Sequence, residues 1–179
     1  MALDSVRMSG ASVAITKHLQ RRSTLLTAQD NATIIRSHVD YFNSRDTEKG
    51  LALVTADVKW TNIPFNRDFT GHSGYREFHN NWVTAMSDIK IEIVNLAGDD
   101  KWTFVEMVAR GTHNGPLIGP QGTIPATQKK LDLKVCEVFR LQDGLIAESH
   151  VYFDSATMMR QLGVLPATTT TGQPVPSTR

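Results

Sequence analysis

The chain has 179 residues, of which 40% are hydrophobic and 21% are charged, and its formal net charge is +1. This length suits one domain with a sizeable core, and the near-neutral charge gives no electrostatic case for binding nucleic acid. No apolar run approaches the roughly 20 residues that a membrane helix needs, so we expect no membrane partner. The single cysteine, Cys136, excludes an internal disulfide framework and a cysteine-rich metal site, and it fits a reducing, cytoplasmic location.

The two ends of the chain differ in composition from the middle. Residues 1–28 are rich in Ser, Thr and Ala, and they carry several basic residues but only one acid, Asp4. This composition is weakly similar to an organellar transit peptide, but we favour a flexible arm as its interpretation. The Thr- and Pro-rich residues 167–179 predict a disordered tail. The folded domain is therefore expected to span residues 29–166.

The first half of the middle segment predicts two helices, a strand and a third helix. In "DNATIIRSHVDYFNSRD" apolar residues recur at helical spacing after a cap at Asp30 or Asn31, and a short second helix begins at Asp46. "DVKWTNIPF" alternates as a strand that Pro64 ends. "HSGYREFHNNWVTAM" is helical again, with Ser73 as its cap. Its apolar face is a helical stripe of Tyr75, His79, Trp82 and Met86.

The second half predicts only strands, joined by turns. "DIKIEIVNLA", "KWTFVEMVARGTH", "KLDLKVCEVFRL" and "LIAESHVYFD" alternate with a two-residue period, and "GDD" and "QDG" supply turns. A Gly- and Pro-rich loop separates the second of these strands from the third. Consecutive strands with short turns make an antiparallel sheet, so the fold class is α+β. Helices on one face of a curved sheet leave a hollow in which small ligands often bind.

Two segments of the sequence resemble a known family. "GTHNGPLIGPQG" and "VFRLQDGLIAESHVYFDSATMMRQLGVLP" are similar to the SnoaL-like polyketide cyclases, especially the ester cyclases, of the nuclear-transport-factor-2-like superfamily. The resemblance covers about residues 51–166, and its most specific part is the "DG" hairpin followed by the D-x-x-x-x-x-x-Q-L-G-x-x-P ending. "VKWTNIPFNRDFTGHSGYREFHNNW" fits the family pattern of a strand, a glycine-marked turn and a helix.

The resemblance implies a fold and an activity. The fold would be an α+β cone, a curved antiparallel sheet with about three helices on its concave face, that forms homodimers through the sheet. The activity would be that of a cyclase or isomerase-type lyase, such as an intramolecular aldol closure, on a small hydrophobic carbonyl substrate, without metal or organic cofactor. The sequence contains no nucleotide-binding motif, and its six histidines lack metal-ligand spacing.

An aldol closure needs a group that removes a proton beside a carbonyl and then returns one. A carboxyl group in an apolar cavity suits this task, because burial raises its pKa. Asp154 is the first candidate, since it holds the acidic position before Q-L-G in the family pattern, although it also fits a helix cap. His150 shares the strand face of Asp154, with Glu148 and Tyr152. The family often has Trp at position 150, so this histidine is a departure.

Glu137 completes the predicted catalytic set. It lies in "CEVFRL", where the family often has Asp. With Asp143 and Gly144 as a two-residue hairpin loop, Glu137 faces His150 across the two strands. An ordinary surface pair, worth little energetically, is the alternative interpretation.

Further residues are predicted to line the hollow and bind substrate. They comprise Trp60, Asn62, Tyr41, His79, Trp82, Glu106 and Tyr152. Stripes of this kind are more often plain core, which is the favoured interpretation for Trp60. Glu106 and Arg110 could form an ion pair in the hollow, but we favour an edge feature for Arg110. For His113 in "GTHNG" we favour a role in the local turn.

Two rival functions remain open. The first is an epoxide hydrolase of the same fold, with Asp154, Glu137 and Arg110 as its charged groups and Asn62 holding the water. Such hydrolases typically use an Arg-x-Asp pair, whereas Arg110 precedes Gly111 and Thr112, which argues against this function. The second is a non-catalytic ligand binder or dimerisation module, which predicts a hollow without convergent acids.

Overall fold

The computed structural model describes residues 27–166. The predicted tail, and the predicted arm except residues 27 and 28, lie outside the described residues. Within residues 27–166, no helix combines the length and the apolar character that crossing a membrane requires.

Four α-helices are present in this part of the chain: α1 (Ala28–Ser44), α2 (Thr47–Leu51), α3 (Gly71–Ala85) and α4 (Ser155–Gln161). The predicted cap of α1 is wrong, because Thr27 is the cap residue. Asp30 is the third helical residue, and its carboxylate accepts a hydrogen bond from the backbone N–H of Thr27. Asp46 caps α2 as predicted. The predicted cap of α3 is also wrong: this helix starts after Thr70, without a side-chain cap, and not at Ser73.

Eight strands accompany the helices. They are β1 (Val54–Asn62), β2 (Arg67–Thr70), β3 (Lys90–Gly98), β4 (Trp102–Thr112), β5 (Leu117–Gly119), β6 (Gly122–Ile124), β7 (Lys130–Gln142) and β8 (Leu145–Phe153). Six of them form a sheet in the order β2-β1-β8-β7-β4-β3, while β5 and β6 form a small hairpin within the predicted Gly/Pro-rich loop. All pairs in the large sheet are antiparallel except β1–β8, which is parallel. The α+β class is confirmed.

The large sheet has an inner face, against which helices α1 and α3 pack, and an opposite outer face. Helix α1 contacts β3 and β4, and α3 contacts β1 and β2. The core lies between them and includes Trp60, Val105 and Phe139 on the inner face. Because side chains alternate along a strand, the other half of each strand's residues lies on the outer face.

The β7–β8 hairpin departs from the predicted register within a few residues of its turn. Asp143 and Gly144 both have positive φ, as a two-residue hairpin loop requires, and Leu141 pairs with Ile146 as predicted. A bulge then inserts one residue into β8, so that Arg140 pairs with Glu148 and Glu137 pairs with Val151. The predicted Glu137–His150 pair is therefore wrong, and the residues of β8 beyond the bulge have exchanged faces.

Candidate active site

A cavity of about 60 Å³ lies between the inner face of the sheet and helices α1 and α3. Most of its lining is aliphatic or aromatic, and the titratable side chains among the lining residues are His38, His79 and Glu137. The volume holds a few water molecules and is well below the roughly 300–1,000 Å³ of typical ligand pockets. In this conformation the cavity therefore fits a small group.

Glu137 is a buried carboxyl group in this apolar cavity. Its side chain projects from β7 on the inner face, and the residue is 7% exposed. Burial raises the pKa of Glu137 to about 8, since a charged carboxylate loses its hydration there. The hydroxyl of Ser149 on β8 donates a hydrogen bond of 2.5 Å to Oε1 of Glu137, which lowers the pKa and so opposes part of this rise.

Two buried histidines and a tyrosine face this region from the helices. Nδ1 of His38 on α1 lies 3.3 Å from the hydroxyl of Tyr75 on α3. Nδ1 of His79 lies 2.7 Å from the backbone carbonyl oxygen of Tyr75. Burial lowers the pKa of His38 well below its usual value and that of His79 to about 4, while it raises the pKa of the Tyr75 phenol. All three groups are therefore neutral at pH 7.

The expectation that Asp154 and His150 face the hollow is wrong. Asp154 is exposed and caps α4: the backbone N–H of Thr157 donates to its Oδ1 at 3.0 Å. The hydrogen bonds from the side chain and backbone of Thr157 lower the pKa of Asp154. His150 lies on the outer face, with Nε2 3.0 Å from Oε1 of Glu148. The bulge in β8 explains the difference, because it places Ser149 and not His150 beside Glu137.

The other predicted lining residues divide between the cavity and other places. Trp60, His79 and Trp82 line the cavity. Asn62 is buried, but its side chain accepts a hydrogen bond from the backbone of Phe65 in the turn after β1. Tyr41 borders a separate depression. Glu106 and Tyr152 lie on the outer face, where Glu106 accepts a hydrogen bond from Asn95.

The structure also places the remaining charged candidates. Arg110 forms ion pairs with Glu92 and Asp132, both at 2.9 Å, on the outer face, so the suggested pair with Glu106 is wrong. Nδ1 of His113 contacts Oγ1 of Thr127 at 3.0 Å in the loop before β7, which agrees with the predicted role in the local turn. Among residues 27–166, no cluster of three or more His, Cys, Asp or Glu side chains could hold a metal ion.

Three residues of the site were missed by the sequence analysis: His38, Tyr75 as a polar group, and Ser149. His38 follows Ile35 by three positions and precedes Val39 in the apolar pattern of α1, so helical spacing was the available signal for its burial. Ser149 had no such signal, because alternation without the bulge assigns it to the outer face. The site is therefore a small cavity between sheet and helices that holds a buried carboxyl group and neutral hydrogen-bonding side chains.

A curved sheet with helices on one face and an apolar cavity between them is an architecture found in a class of small-molecule enzymes and binders. The family model described as SnoaL-like polyketide cyclase matches residues 32–162, which is more than half of the chain. The chain therefore belongs to the SnoaL-like polyketide cyclase family. No curated protein matches the sequence.

Solved structures share this fold at low sequence identity. TsrD from Streptomyces laurentii is 21% identical, covers 78% of this chain and 99% of its own, and has a TM-score of 0.67. A protein from Jannaschia sp. CCS1, assigned as a SnoaL-like polyketide cyclase, is 16% identical with coverages of 78% and 95% and a TM-score of 0.66. A protein with a ketosteroid isomerase-like fold from Catenulispora acidiphila DSM 44928, in complex with trimethylamine, is 12% identical with coverages of 73% and 92% and a TM-score of 0.62.

At sequence identities this low, structural likeness shows the fold alone. The likeness confirms the nuclear-transport-factor-2-like architecture that the sequence resemblance implied. The family assignment and the shared fold therefore agree on a SnoaL-like polyketide cyclase architecture.

Proposed function

We propose that the protein is a cyclase or isomerase-type lyase in which Glu137 is the acid/base group, and that it acts on a small hydrophobic carbonyl compound without a cofactor. The observation that carries this proposal is the burial of the Glu137 carboxyl group in an apolar cavity, hydrogen-bonded by Ser149. A carboxyl group with a pKa near the working pH is suited to taking a proton in one step and returning it in another.

The reaction begins when the Glu137 carboxylate removes a proton from the carbon beside a carbonyl group. The C–H bond breaks, an O–H bond forms on Glu137, and the electron pair moves to the carbonyl oxygen as an enolate. In a cyclase the enolate carbon then attacks a second carbonyl group of the same molecule, and Glu137 protonates the new alkoxide. In an isomerase Glu137 returns the proton to a different carbon.

The cavity limits the size of the reacting part of the substrate. Its volume of about 60 Å³ holds a small ring or chain segment only if lining side chains move. Polar groups are few, so the substrate's carbonyl groups are expected to be its main polar features. This favours compact apolar ketones over charged substrates, since a buried unpaired charge is costly.

Exchange of α-protons for deuterium tests this proposal without knowledge of the natural substrate. The protein is incubated in deuterated buffer with cyclohexanone, cyclopentanone and acetylacetone, and the loss of α-proton signal is followed by NMR. Wild-type protein is expected to accelerate exchange of at least one ketone, and Glu137→Gln is expected to abolish the acceleration. Gln keeps the size and a hydrogen-bonding group at this position but cannot take the proton.

Glu92→Gln is the matched control. It makes the same chemical change on the outer face of the sheet, where Glu92 pairs with Arg110 in solvent, and it is expected to retain the wild-type rate. Acceleration by Glu137→Gln equal to wild type would contradict the proposal. Tight ketone binding without any exchange would instead favour a non-catalytic binder of the same fold.

We also propose that a second copy of the chain covers the outer face of the sheet. This face exposes apolar side chains, with Val94 56%, Phe104 50% and Tyr152 40% exposed, around a groove of about 450 Å³. Sedimentation velocity is expected to show a dimer for wild type and a monomer for Phe104→Glu. Ile118→Glu, which places the same charge at an exposed apolar residue of β5, is expected to stay dimeric. A wild-type monomer at micromolar concentration would contradict this proposal.

A further inference from the structure

His38 and His79 both line the cavity, yet their hydrogen bonds give them opposite chemical properties. Nδ1 of His79 lies 2.7 Å from the carbonyl oxygen of Tyr75, and a carbonyl oxygen only accepts hydrogen bonds. The proton of neutral His79 is therefore on Nδ1, and its Nε2 is a hydrogen-bond acceptor. The same reasoning applied to His38 gives the other tautomer.

Tyr75 determines the tautomer of His38. The Tyr75 hydroxyl is buried, and its hydrogen bond among the described residues is to Nδ1 of His38 at 3.3 Å. A buried hydroxyl that only accepted would leave its own proton unsatisfied, which is costly. Tyr75 therefore donates to Nδ1 of His38, and the proton of neutral His38 is on Nε2. Within residues 27–166, the hydrogen bond of the His38 ring is made at Nδ1, and the ring lines the cavity.

Gly50 on α2 allows the Tyr75 hydroxyl to occupy this position. A Cβ atom at Gly50 would overlap the Tyr75 hydroxyl oxygen, far inside van der Waals contact. Gly50→Ala would therefore displace this hydroxyl from His38. The close approach of α2 to α3 at Gly50 therefore fixes the position of the Tyr75 hydroxyl, and through it the hydrogen bond to His38.

We propose that His38, held in its Nε2–H tautomer by Tyr75, is the catalytic hydrogen-bond donor to the carbonyl oxygen of the substrate, and that Tyr75 is a positioning residue. This inference rests on the proposed function of Glu137. When Glu137 takes the α-proton, negative charge develops on the carbonyl oxygen, and the Nε2–H group of His38 stabilises it. The proton stays on His38, because a neutral imidazole is a weak acid.

The neutral state of His38 is consistent with this role. Burial and the neighbouring His79 lower the pKa of His38, so the ring stays uncharged at the pH at which Glu137 ionises. A positioned donor in a site without bulk water stabilises a developing oxyanion more than a donor in water does. The substrate class that fits is a ketone whose oxygen reaches His38 while its α-carbon faces Glu137.

The tautomers can be measured directly in the wild-type protein. Two-bond nitrogen–proton correlation spectra of 15N-labelled protein distinguish a protonated ring nitrogen from a bare one, and His38→Gln and His79→Gln assign the signals. At pH 7 we expect His38 to be protonated at Nε2 only and His79 at Nδ1 only. Tyr75→Phe is expected to give His38 a mixture of tautomers. A His38 ring protonated at Nδ1, or at both nitrogens, would overturn the inference.

The deuterium exchange assay tests the catalytic role. His38→Leu is expected to reduce kcat by roughly 10²–10³-fold with little change in KM, as loss of an oxyanion donor does. His38→Gln keeps an N–H donor and is expected to recover part of this loss. Tyr75→Phe and Gly50→Ala are expected to lower kcat by a smaller factor. If the His38 variants do not fold, the kcat of Tyr75→Phe and the tautomer spectra of the wild type test the role of His38 instead.

The two proposals fail in different ways. If Glu137→Gln abolishes exchange while His38→Leu retains the wild-type kcat, the donor role of His38 is wrong and the proposed function stands. If Glu137→Gln retains exchange, the proposed function is wrong whatever the tautomers are. Absence of exchange with every ketone in wild type contradicts both.

Discussion

The hydroxyl oxygen of Ser149 on β8 lies 2.5 Å from Oε1 of Glu137 on β7, and both residues are buried. The bond exists because the bulge in β8 brings Ser149 to the inner face. There Ser149 pairs with Phe139, which is two residues after Glu137 on β7. A hydroxyl donor stabilises the ionised carboxylate more than the protonated acid. The bulge therefore adjusts the acidity of the one acidic residue that lines the cavity among residues 27–166.

Removal of this donor is expected to make Glu137 a weaker acid. In Ser149→Ala the pKa of Glu137 rises further above its wild-type value, so less carboxylate is present at pH 7. The rate of deuterium exchange at pH 7 is expected to fall several-fold, while the rate at high pH changes less. The measurement is the pH profile of kcat for ketone exchange.

Ser73→Ala is the control for this change, because Ser73 is exposed on α3. It is expected to leave the profile unchanged. A Ser149→Ala profile that coincides with wild type would show that the hydrogen bond does not influence the ionisation of Glu137.

The wild-type protein itself is expected to show a rate that increases with pH. The base is the ionised form of Glu137, whose pKa is about 8, so kcat/KM rises with pH up to about that value and then levels off. The other titratable groups facing Glu137 are His38, His79 and Tyr75, all of them neutral across this range. A profile that is flat between pH 6 and 9 would exclude Glu137 as the base.

The free energy of unfolding is expected to decrease as pH rises towards 8, whereas kcat/KM increases. The carboxyl group of Glu137 ionises near pH 4.5 when unfolded and near 8 when folded. Between these values the folded state binds more protons, so the free energy of unfolding decreases as pH rises. From pH 6.5 to 8 the loss is about 2 kcal/mol. Urea unfolding at several pH values measures it.

The buried histidines have the opposite effect at lower pH. Their folded pKa values are depressed, so the unfolded state binds more protons below about 6.5, and stability is lost as pH falls through this range. Wild type is therefore expected to be most stable near pH 6.5. In Glu137→Gln the decrease above pH 6.5 should disappear, while the decrease below it persists. An equal decrease above pH 6.5 in both proteins would contradict the buried, raised pKa of Glu137.

The sequence was sufficient for the long helices and strands and for the class of fold, because alternation and helical spacing follow from burial on one face. The short strands β2, β5 and β6 were not predicted, since each has only three or four residues. Val58 and Trp60 on β1, and Tyr75, His79 and Trp82 on α3, are buried as the patterns predicted. The family motifs also identified Glu137 as a candidate acid. The parallel pairing of β1 with β8 was not predicted, since it joins segments far apart in the chain.

The site was predicted less well than the fold, and a single inserted residue accounts for most of the difference. Because side chains alternate with a period of two, the bulge moved His150 to the outer face and Ser149 to the inner one. Nothing in "LIAESHVYF" indicates where the extra residue lies. His38 was missed for another reason. Helical spacing predicts burial for a histidine among apolar residues, but it does not reveal that Glu137 on a distant strand lines the same cavity.

Asp154→Ala separates the structural role of this residue from the catalytic role that the sequence suggested. Asp154 is exposed, and its two carboxylate oxygens accept hydrogen bonds from the backbone and side chain of Thr157 at the start of α4. Loss of this cap is expected to lower the free energy of unfolding, because the first turn of α4 loses the acceptor for the Thr157 N–H. Ketone exchange is expected to continue at the wild-type rate, because the carboxyl group does not line the cavity. Asp154→Asn, which retains capping ability, should restore the stability. If both variants lose exchange while remaining folded, the acid/base role belongs to Asp154 and α4 must rearrange during turnover.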